Sequence, residues 1–231
     1  MAFANDGYEV LPVFRPAEIL ALHDDVTEHI DRVANALHLP FEASAPDAPF
    51  AERLERIAKH DPSHANLLRI ALCTDAHRGR RFSGLLNHAA LKAAAEELAG
   101  VPLGEPIMRL RANVPTLTRA RSGWHSDVAL LEGTCNTVRI AAWIPLMDAG
   151  PGNGGLEVAV GRRDAPLPHE KGSNEFHIPD AALEGLPKAP LDCPLGGCVF
   201  LDRFTPHRAL PNTSEEARLS VVIWMKAATL H

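Results

Sequence analysis

Apolar residues recur every three or four positions in the first hundred residues, which is the spacing of one face of an α-helix. From Pro16, a favourable first helical position, they predict one long helix. Its apolar positions are Ile19, Leu22, Val26, Ile30, Val33 and Leu37. The same periodicity predicts helices over residues 50–60, 65–73 and 88–98, whereas residues 7–14 favour a short strand. The first hundred residues are therefore predicted to be mostly helical.

After Gly100 the apolar residues alternate or cluster in short runs between Gly, Pro, Asn and Asp, which is typical of β-strands. These runs are residues 107–114, 137–146, 155–160, 198–201 and 219–225. Because no helical pattern separates them, a sandwich or barrel is favoured over a parallel sheet. The apolar faces of the amphipathic helices must be buried, and a sheet is the surface on which they are expected to pack. We therefore expect an α+β fold with a mainly β core, and a single domain over residues 1–231 whose helical part is 1–100.

Composition and charge exclude several classes of protein. With 231 residues and 46% hydrophobic residues, the chain can build a sizeable core without disulfides or a structural metal. The net charge of −6, with scattered basic residues, argues against a nucleic-acid or anionic-membrane partner. No apolar run is long enough to span a bilayer, and the opening residues do not resemble a secretory signal. The four widely spaced cysteines are interpreted as reduced thiols, so we expect a cytoplasmic protein.

Candidate metal ligands lie in the strand-rich half. His125 and Asp127 are two residues apart, which on a strand places both side chains on the same face. His207 follows another apolar strand, where a sheet can return it to the first pair. Two histidines and one carboxylate occupy one face of an octahedron and leave three positions open, as non-haem Fe(II) requires for a cosubstrate and O2. A structural zinc site would instead be closed.

A candidate anion-binding residue follows the distal histidine. Arg218 comes eleven residues after His207 and starts the last apolar strand, so a hairpin can bring its guanidinium toward the metal. The forked geometry of arginine suits a carboxylate.

These four residues resemble the signature of the phytanoyl-CoA dioxygenase family of Fe(II)- and 2-oxoglutarate-dependent oxygenases. That signature is His-x-Asp, a distal His, and an Arg about eleven positions later. The N-terminal Asn-Asp-Gly-Tyr-Glu-Val-Leu-Pro segment at residues 5–12 is also similar to the family, as are Trp-Ile-Pro-Leu at 143–146 and Gly-Gly-Leu-Glu-Val at 154–158. The resemblance implies a double-stranded β-helix, or cupin-like jelly roll, over residues 101–231, with the N-terminal helices packed outside.

The resemblance also implies roles for further residues. Arg218 would pair with the far carboxylate of 2-oxoglutarate, whose other end would chelate the iron, and Asn113 would add a contact to this cosubstrate. Trp143 matches an aromatic residue that lines the pocket, and Ser126 lies where relatives often carry Gln. Ala209 is a departure, because some members carry a hydroxyl residue there that assists the arginine.

The expected reaction follows from the same resemblance. Because Asp127 is present, whereas halogenating relatives carry a small residue in its place, hydroxylation of a small metabolite or natural-product intermediate is expected, with release of succinate and CO2. Desaturation and ring chemistry stay open. Arg139 and Arg203 either meet an anionic substrate group or form ordinary salt bridges. His169, in a segment punctuated by Pro and Gly, is either a substrate contact or a solvated loop residue.

Two other classes of protein are consistent with parts of the pattern. A cupin-like binding or sensory protein would keep the barrel and even a metal without catalysing a reaction, but it has no need of a carboxylate clamp such as Arg218. A zinc hydrolase on the same three ligands is disfavoured, because the sequence has no HExxH helix and no obvious general base beside the ligands.

Overall fold

The computed structural model describes residues 2–75, 79–118, 123–127, 138–172 and 176–228. Within them, the helices are α1 (Ala2–Asp6), α2 (Pro16–Leu20), α3 (Leu22–Ala36), α4 (Phe41–Ser44), α5 (Phe50–His60), α6 (Pro62–Asp75), α7 (Arg80–Leu86) and α8 (Ala89–Ala99). The strands are β1 (Tyr8–Pro12), β2 (Ile107–Asn113), β3 (Val138–Pro145), β4 (Leu156–Ala159), β5 (Glu170–Lys171), β6 (Phe176–His177), β7 (Lys188–Pro190), β8 (Gly197–Asp202), β9 (His207–Ala209) and β10 (Arg218–Lys226). A 3-10 helix covers Asp180–Leu183.

Two antiparallel sheets form the β core. The larger has five strands in the order β1-β8-β3-β10-β2, and the smaller has three in the order β7-β4-β9. Strands β5 and β6 form a separate two-stranded ladder. This is the two-sheet arrangement of a jelly roll, with the strands distant in sequence placed next to each other. The predicted α+β fold with a mainly β core is confirmed.

The two faces of the five-stranded sheet belong to different hydrophobic clusters. On the outer face, side chains such as Ile140, Phe200 and Val221 join the buried residues of the helices in the larger cluster. On the inner face, Trp143, Val199 and their neighbours form a second cluster with residues of the smaller sheet. Because successive strand residues point to opposite faces, each central strand contributes to both clusters. The central strand β3 is accordingly buried along almost its whole length.

The helical half differs from the sequence prediction at several places, among them α1 and α7, which the apolar spacing does not predict. The helix predicted from Pro16 onward is interrupted, because α2 ends at Leu20 and α3 begins at Leu22. Ile19, Leu22, Val26 and Ile30 are all buried, so the spacing of apolar residues continues across the break. Periodicity alone therefore could not reveal it. The short helix α4 lies in the Pro- and Ala-rich segment 40–49, where the apolar spacing predicts no helix.

The long predicted strands agree with the observed ones to within one or two residues. Position 137, the first residue of one predicted strand, lies outside the described residues, as does Cys135. The other three cysteines are free thiols. No helix in the described ranges is both long enough and apolar enough to cross a membrane.

Candidate metal centre

Backbone pairing places His125 beside His207. The His125 N–H donates to the His207 carbonyl at 3.0 Å, and the His207 N–H donates to the His125 carbonyl at 2.8 Å. Strand β9, which begins at His207, also pairs with β4, so this position is tied to the smaller sheet. The two imidazole ring centres are 4.4 Å apart. The distal histidine thus returns to the His-x-Asp segment.

Asp127 completes a group of three buried ligands. Its Oδ1 lies 3.8 Å from His207 Nε2. One potential ligand atom from each of His125, Asp127 and His207 lies within 4.8 Å of the other two, and the side chains are all buried. Residues separated by more than 75 positions in sequence therefore converge on one point.

Backbone carbonyls fix which nitrogen of each histidine is available. His125 Nδ1 lies 2.8 Å from the Gly123 carbonyl, and His207 Nδ1 lies 3.1 Å from the Thr205 carbonyl. Since a carbonyl oxygen only accepts hydrogen bonds, Nδ1 carries the proton in both rings. Each Nε2 then keeps its lone pair on the side of Asp127, as a metal ligand requires.

Electrostatics at the centre also suit a cation. Burial, together with the neighbouring His207, lowers the pKa of His125 to about 4, so its imidazole is neutral at ordinary pH. Two imidazole lone pairs and a carboxylate converge at a buried position. A single proton can be shared by only two of these three acceptors, which would leave the third unpaired. A divalent metal ion satisfies all three. The donor set of nitrogen and oxygen atoms with an open side fits non-haem iron.

Arg218 is a buried cation beside this centre. Its Nε and Nη2 donate to the Gly154 carbonyl at 3.0 and 2.6 Å, and its Nη1 donates to the Ser220 hydroxyl at 2.7 Å. The guanidinium carbon lies 5.2 Å from the centre of the Trp143 ring. Burial lowers the pKa of Arg218 to about 10, and no carboxylate of the described residues pairs with it. A buried guanidinium without a counter-ion fits a bound carboxylate.

Asn113 and Trp143 both lie next to Arg218. Asn113 is the register partner of Arg218 across β2 and β10, and one of its amide N–H groups donates to the Leu210 carbonyl at 3.1 Å. Trp143 lies on the inner face of β3. Ser220 was not singled out in the sequence, although it stands two residues beyond Arg218 and therefore on the same face of the strand. It supplies the arginine with a hydroxyl partner that Ala209 cannot provide.

Ser126 and His169 contact each other. The Ser126 N–H donates to His169 Nε2 at 3.1 Å, and the Ser126 hydroxyl lies 3.4 Å from the same nitrogen. His169 Nδ1 lies 2.8 Å from the Leu167 carbonyl, which leaves Nε2 as the acceptor. His169 therefore holds the peptide between the two ligands of the His-x-Asp segment.

Arg139 and Arg203 lie close together at one end of the inner face. Ile140 pairs with Asp202, and the two arginines follow that pair on β3 and just beyond β8. Neither forms an ion pair with a described carboxylate, and Arg139 Nε is buried with no hydrogen-bond partner in the part of the chain that the structure describes. Arg203 instead lies over the Phe204 ring, with 4.3 Å between the guanidinium carbon and the ring centre.

Fold and site together define a class of protein, a jelly roll that carries a two-histidine, one-carboxylate metal centre with a buried arginine beside it. A family model described as phytanoyl-CoA dioxygenase (PhyH) matches residues 3–220. The chain therefore belongs to the phytanoyl-CoA dioxygenase family, whose resemblance the sequence motifs had indicated. A search of curated proteins finds no match.

Solved structures share the fold at low sequence identity. AviO1 from Streptomyces viridochromogenes Tue57 is 21% identical with a TM-score of 0.61, and the match covers 100% of this chain and 94% of that one. EvdO2 from Micromonospora carbonacea var. aurantiaca, complexed with 2-oxoglutarate, is 20% identical with a TM-score of 0.59, covering 98% and 89%. The epimerase SnoN, in complex with Fe3+, alpha ketoglutarate and nogalamycin RO, is 20% identical with a TM-score of 0.58, covering 99% and 82%.

Proposed function

We propose that this protein is an Fe(II)- and 2-oxoglutarate-dependent oxygenase that hydroxylates a small metabolite or natural-product intermediate. One observation carries the proposal: one potential ligand atom from each of three buried residues lies within 4.8 Å of the other two, and the buried Arg218 has no counter-ion among the described residues. Membership of the phytanoyl-CoA dioxygenase family supports it, as do structural neighbours that bind Fe3+ and 2-oxoglutarate.

In this proposal His125, Asp127 and His207 hold Fe(II), and Arg218 binds the far carboxylate of 2-oxoglutarate. When bound, iron and 2-oxoglutarate supply oxidising chemistry that consumes O2 and releases succinate and CO2. The protein holds each imidazole in the correct tautomer through the Gly123 and Thr205 carbonyls. The Ser220 hydroxyl and the Gly154 carbonyl fix the plane of the Arg218 guanidinium, so that its remaining N–H groups are oriented before the carboxylate binds.

Asn113, Trp143 and Ser126 are proposed as further cosubstrate-site residues. Asn113 retains a second amide N–H beside Arg218, and Trp143 covers the guanidinium with its ring. The Trp143 face excludes water from the ion pair, which strengthens it. Ser126 lies between the ligands His125 and Asp127. Its backbone N–H donates to His169, and this contact orients the side chains of both ligands.

Hydroxylation is the outcome that we favour because Asp127 fills a coordination position that halogenating members of the family leave to chloride. The epimerase among the structural neighbours shows that this fold carries other reactions.

We also propose that residues 1–231 act as one domain, since a single hydrophobic cluster contains side chains from the helices and from the sheet. A cytoplasmic location is proposed on the free thiols of Cys73, Cys193 and Cys198.

Anaerobic titration of the metal-free protein tests the proposal. Fe(II) followed by 2-oxoglutarate should produce the weak visible charge-transfer band of the chelated cosubstrate. Addition of O2 and candidate metabolites should then release succinate, and mass spectrometry should find one added oxygen atom in the product. A protein that binds iron but gives no band would instead be a binding or sensory protein.

A further inference from the structure

Two buried hydrogen-bond donors on the inner face of the large sheet have no partner in the described residues. They are Arg139 Nε and Trp224 Nε1. Buried donors are nearly always paired, because an unpaired one loses its hydrogen bonds to water without replacement. Two such donors on the same face therefore indicate a place for an acceptor that the described residues do not supply.

Strand register shows that the two donors are neighbours. Trp224 on β10 pairs with Ala141 on β3, and Arg139 lies two residues from Ala141 on the same face. Diagonal neighbours in an antiparallel sheet are about 7–8 Å apart, which is within the combined reach of an arginine and a tryptophan side chain. The pairing shifts between Met225 and Lys226, so the ladder is irregular beside Arg139.

Arg203 adds a second positive charge to this place. It stands next to Arg139 across the strands, and burial followed by the charge of Arg139 lowers its pKa. Asp202 is the nearest acid in sequence, but its carboxylate accepts the Phe204 N–H at 3.1 Å and lies 3.7 Å from Arg162 Nε. Asp202 also attracts Arg203 and acts to raise its pKa, but neither Arg139 nor Arg203 forms an ion pair with a described carboxylate, so the two adjacent arginines keep an excess of positive charge at this place.

The place of Arg139 and Arg203 is separate from Arg218, the proposed 2-oxoglutarate ligand. It is close in sequence to the metal ligand His207. Arg218 and Trp224 stand at opposite halves of β10, and six residues of strand span roughly 20 Å. Arg203, in contrast, comes only four residues before His207. Between the arginines and Arg218, the inner face carries Trp143, Leu201 and other apolar side chains.

We propose that the substrate carries an oxyanion, a carboxylate or a phosphoryl group, which binds to Arg139 and Arg203 and accepts a hydrogen bond from Trp224 Nε1. This inference rests on the proposed function. The apolar inner face would hold the body of the substrate between this anchor and the metal. The anchor would set which carbon faces the metal, so that it determines specificity as well as affinity.

Anion binding to the loaded protein tests the inference. The protein with Fe(II) and saturating 2-oxoglutarate, kept anaerobic, is titrated at constant ionic strength with sulfate, as a stand-in for a phosphoryl group, and with acetate for a carboxylate. The unfolding midpoint is measured at each concentration, since a ligand that binds the folded state raises it. The variants are Arg139→Gln, Arg203→Gln and Trp224→Phe, and the control is Arg69→Gln on α6, a half-buried arginine that donates to Asn66 Oδ1.

The expected result is a saturable rise of the midpoint with at least one anion in the wild type and in Arg69→Gln. The apparent dissociation constant should increase at least tenfold in Arg139→Gln and Arg203→Gln, and less in Trp224→Phe. The anion that binds more tightly identifies the chemical group. Equal stabilisation of all variants, or none of the wild type by either anion, would overturn the inference. The charge-transfer band recorded before anion is added reports the proposed function separately.

Discussion

The Arg218 guanidinium donates a hydrogen bond over 2.7 Å to the hydroxyl of Ser220, two residues further along the same strand. Both side chains are buried, so the contact is shielded from competing water. Ala209 has no hydroxyl to offer, so Ser220 is the residue that gives Arg218 a hydroxyl partner. The arginine is thereby oriented from its own strand.

Ser220→Ala should therefore weaken 2-oxoglutarate binding and leave the metal in place. Loss of one hydrogen bond to a charged group costs about 1–2 kcal/mol, which corresponds to a five- to thirtyfold increase in the dissociation constant. Titration of the Fe(II) protein, followed by the charge-transfer band, measures this. Ser83→Ala, on an exposed helix position, is the control. An unchanged dissociation constant would contradict the role of Ser220.

Substitutions of the metal ligands and of Arg218 should have different effects on iron retention and on 2-oxoglutarate binding. His125→Ala or His207→Ala should abolish iron retention, because two remaining ligands hold a divalent ion poorly. Arg218→Ala should retain iron but bind 2-oxoglutarate at least tenfold more weakly. Iron content after gel filtration and the charge-transfer band measure the two effects, with the exposed His60→Ala as control. Unchanged succinate production in the three site variants would refute the assignment.

Gly154→Ala should weaken 2-oxoglutarate binding and lower the free energy of unfolding by more than a positive φ at alanine alone would cost. Gly154 has φ +80°, and an added Cβ would lie 2.2 Å from Asn113 Nδ2. Gly185 has φ +73° but nothing within 4 Å of an added Cβ, so Gly185→Ala isolates the backbone cost of about 1 kcal/mol. Urea unfolding and 2-oxoglutarate titration of both variants should show a larger loss for Gly154→Ala in each measurement. Equal losses would exclude the steric effect.

A buried carboxylate joins the helical half to the β half. Glu55 on α5 accepts hydrogen bonds from the Thr116 N–H at 3.1 Å and from its hydroxyl at 2.5 Å. Glu55→Ala and Thr116→Val should each lower the free energy of unfolding by about 1–2 kcal/mol. The double variant should lose less than the sum, by about 1 kcal/mol. Additive losses, or two separate unfolding transitions, would count against one cooperative domain.

Acid should destabilise the metal-free protein between pH 6.5 and about pH 4. The pKa of His125 falls to about 4 in the folded chain because of burial and the neighbouring His207. An unfolded histidine has a pKa near 6.5, so the unfolded state binds more protons in this interval and the free energy of unfolding decreases as pH falls. Urea unfolding at pH 7 and pH 5 measures the loss. His125→Gln should lose less than the wild type, and an equal loss would contradict this origin.

Much of the site follows from short-range sequence pattern. The eleven-residue interval from His207 to Arg218 accommodates one turn between two strands, as the sequence predicts. The strand expected through His125 and Asp127 is wrong, because His125 forms an isolated bridge with His207 and Asp127 has helical backbone, so strand alternation does not bring these two side chains together. Alternation along β10 does place Ser220 on the same face as Arg218.

Other contacts depend on tertiary structure that the local pattern does not encode. His169 reaches the Ser126 peptide from 43 residues away, and only the path of the intervening chain brings it there. The short strand β9 has three residues, too few for a recognisable alternation. Arg139 lies where the pairing between β10 and β3 shifts by one residue, an irregularity that local alternation does not reveal.

The division of the large sheet between two hydrophobic clusters has an evolutionary consequence. Exchange of side chains such as Val199 or Val222 alters the inner face of the sheet, while Phe200 and Val221 on the reverse side continue to pack against the helices. Selection for a new substrate can therefore act on alternate positions of a strand without loosening the scaffold. Substrate specificity and the stability of the fold can therefore depend on different residues of the same strand.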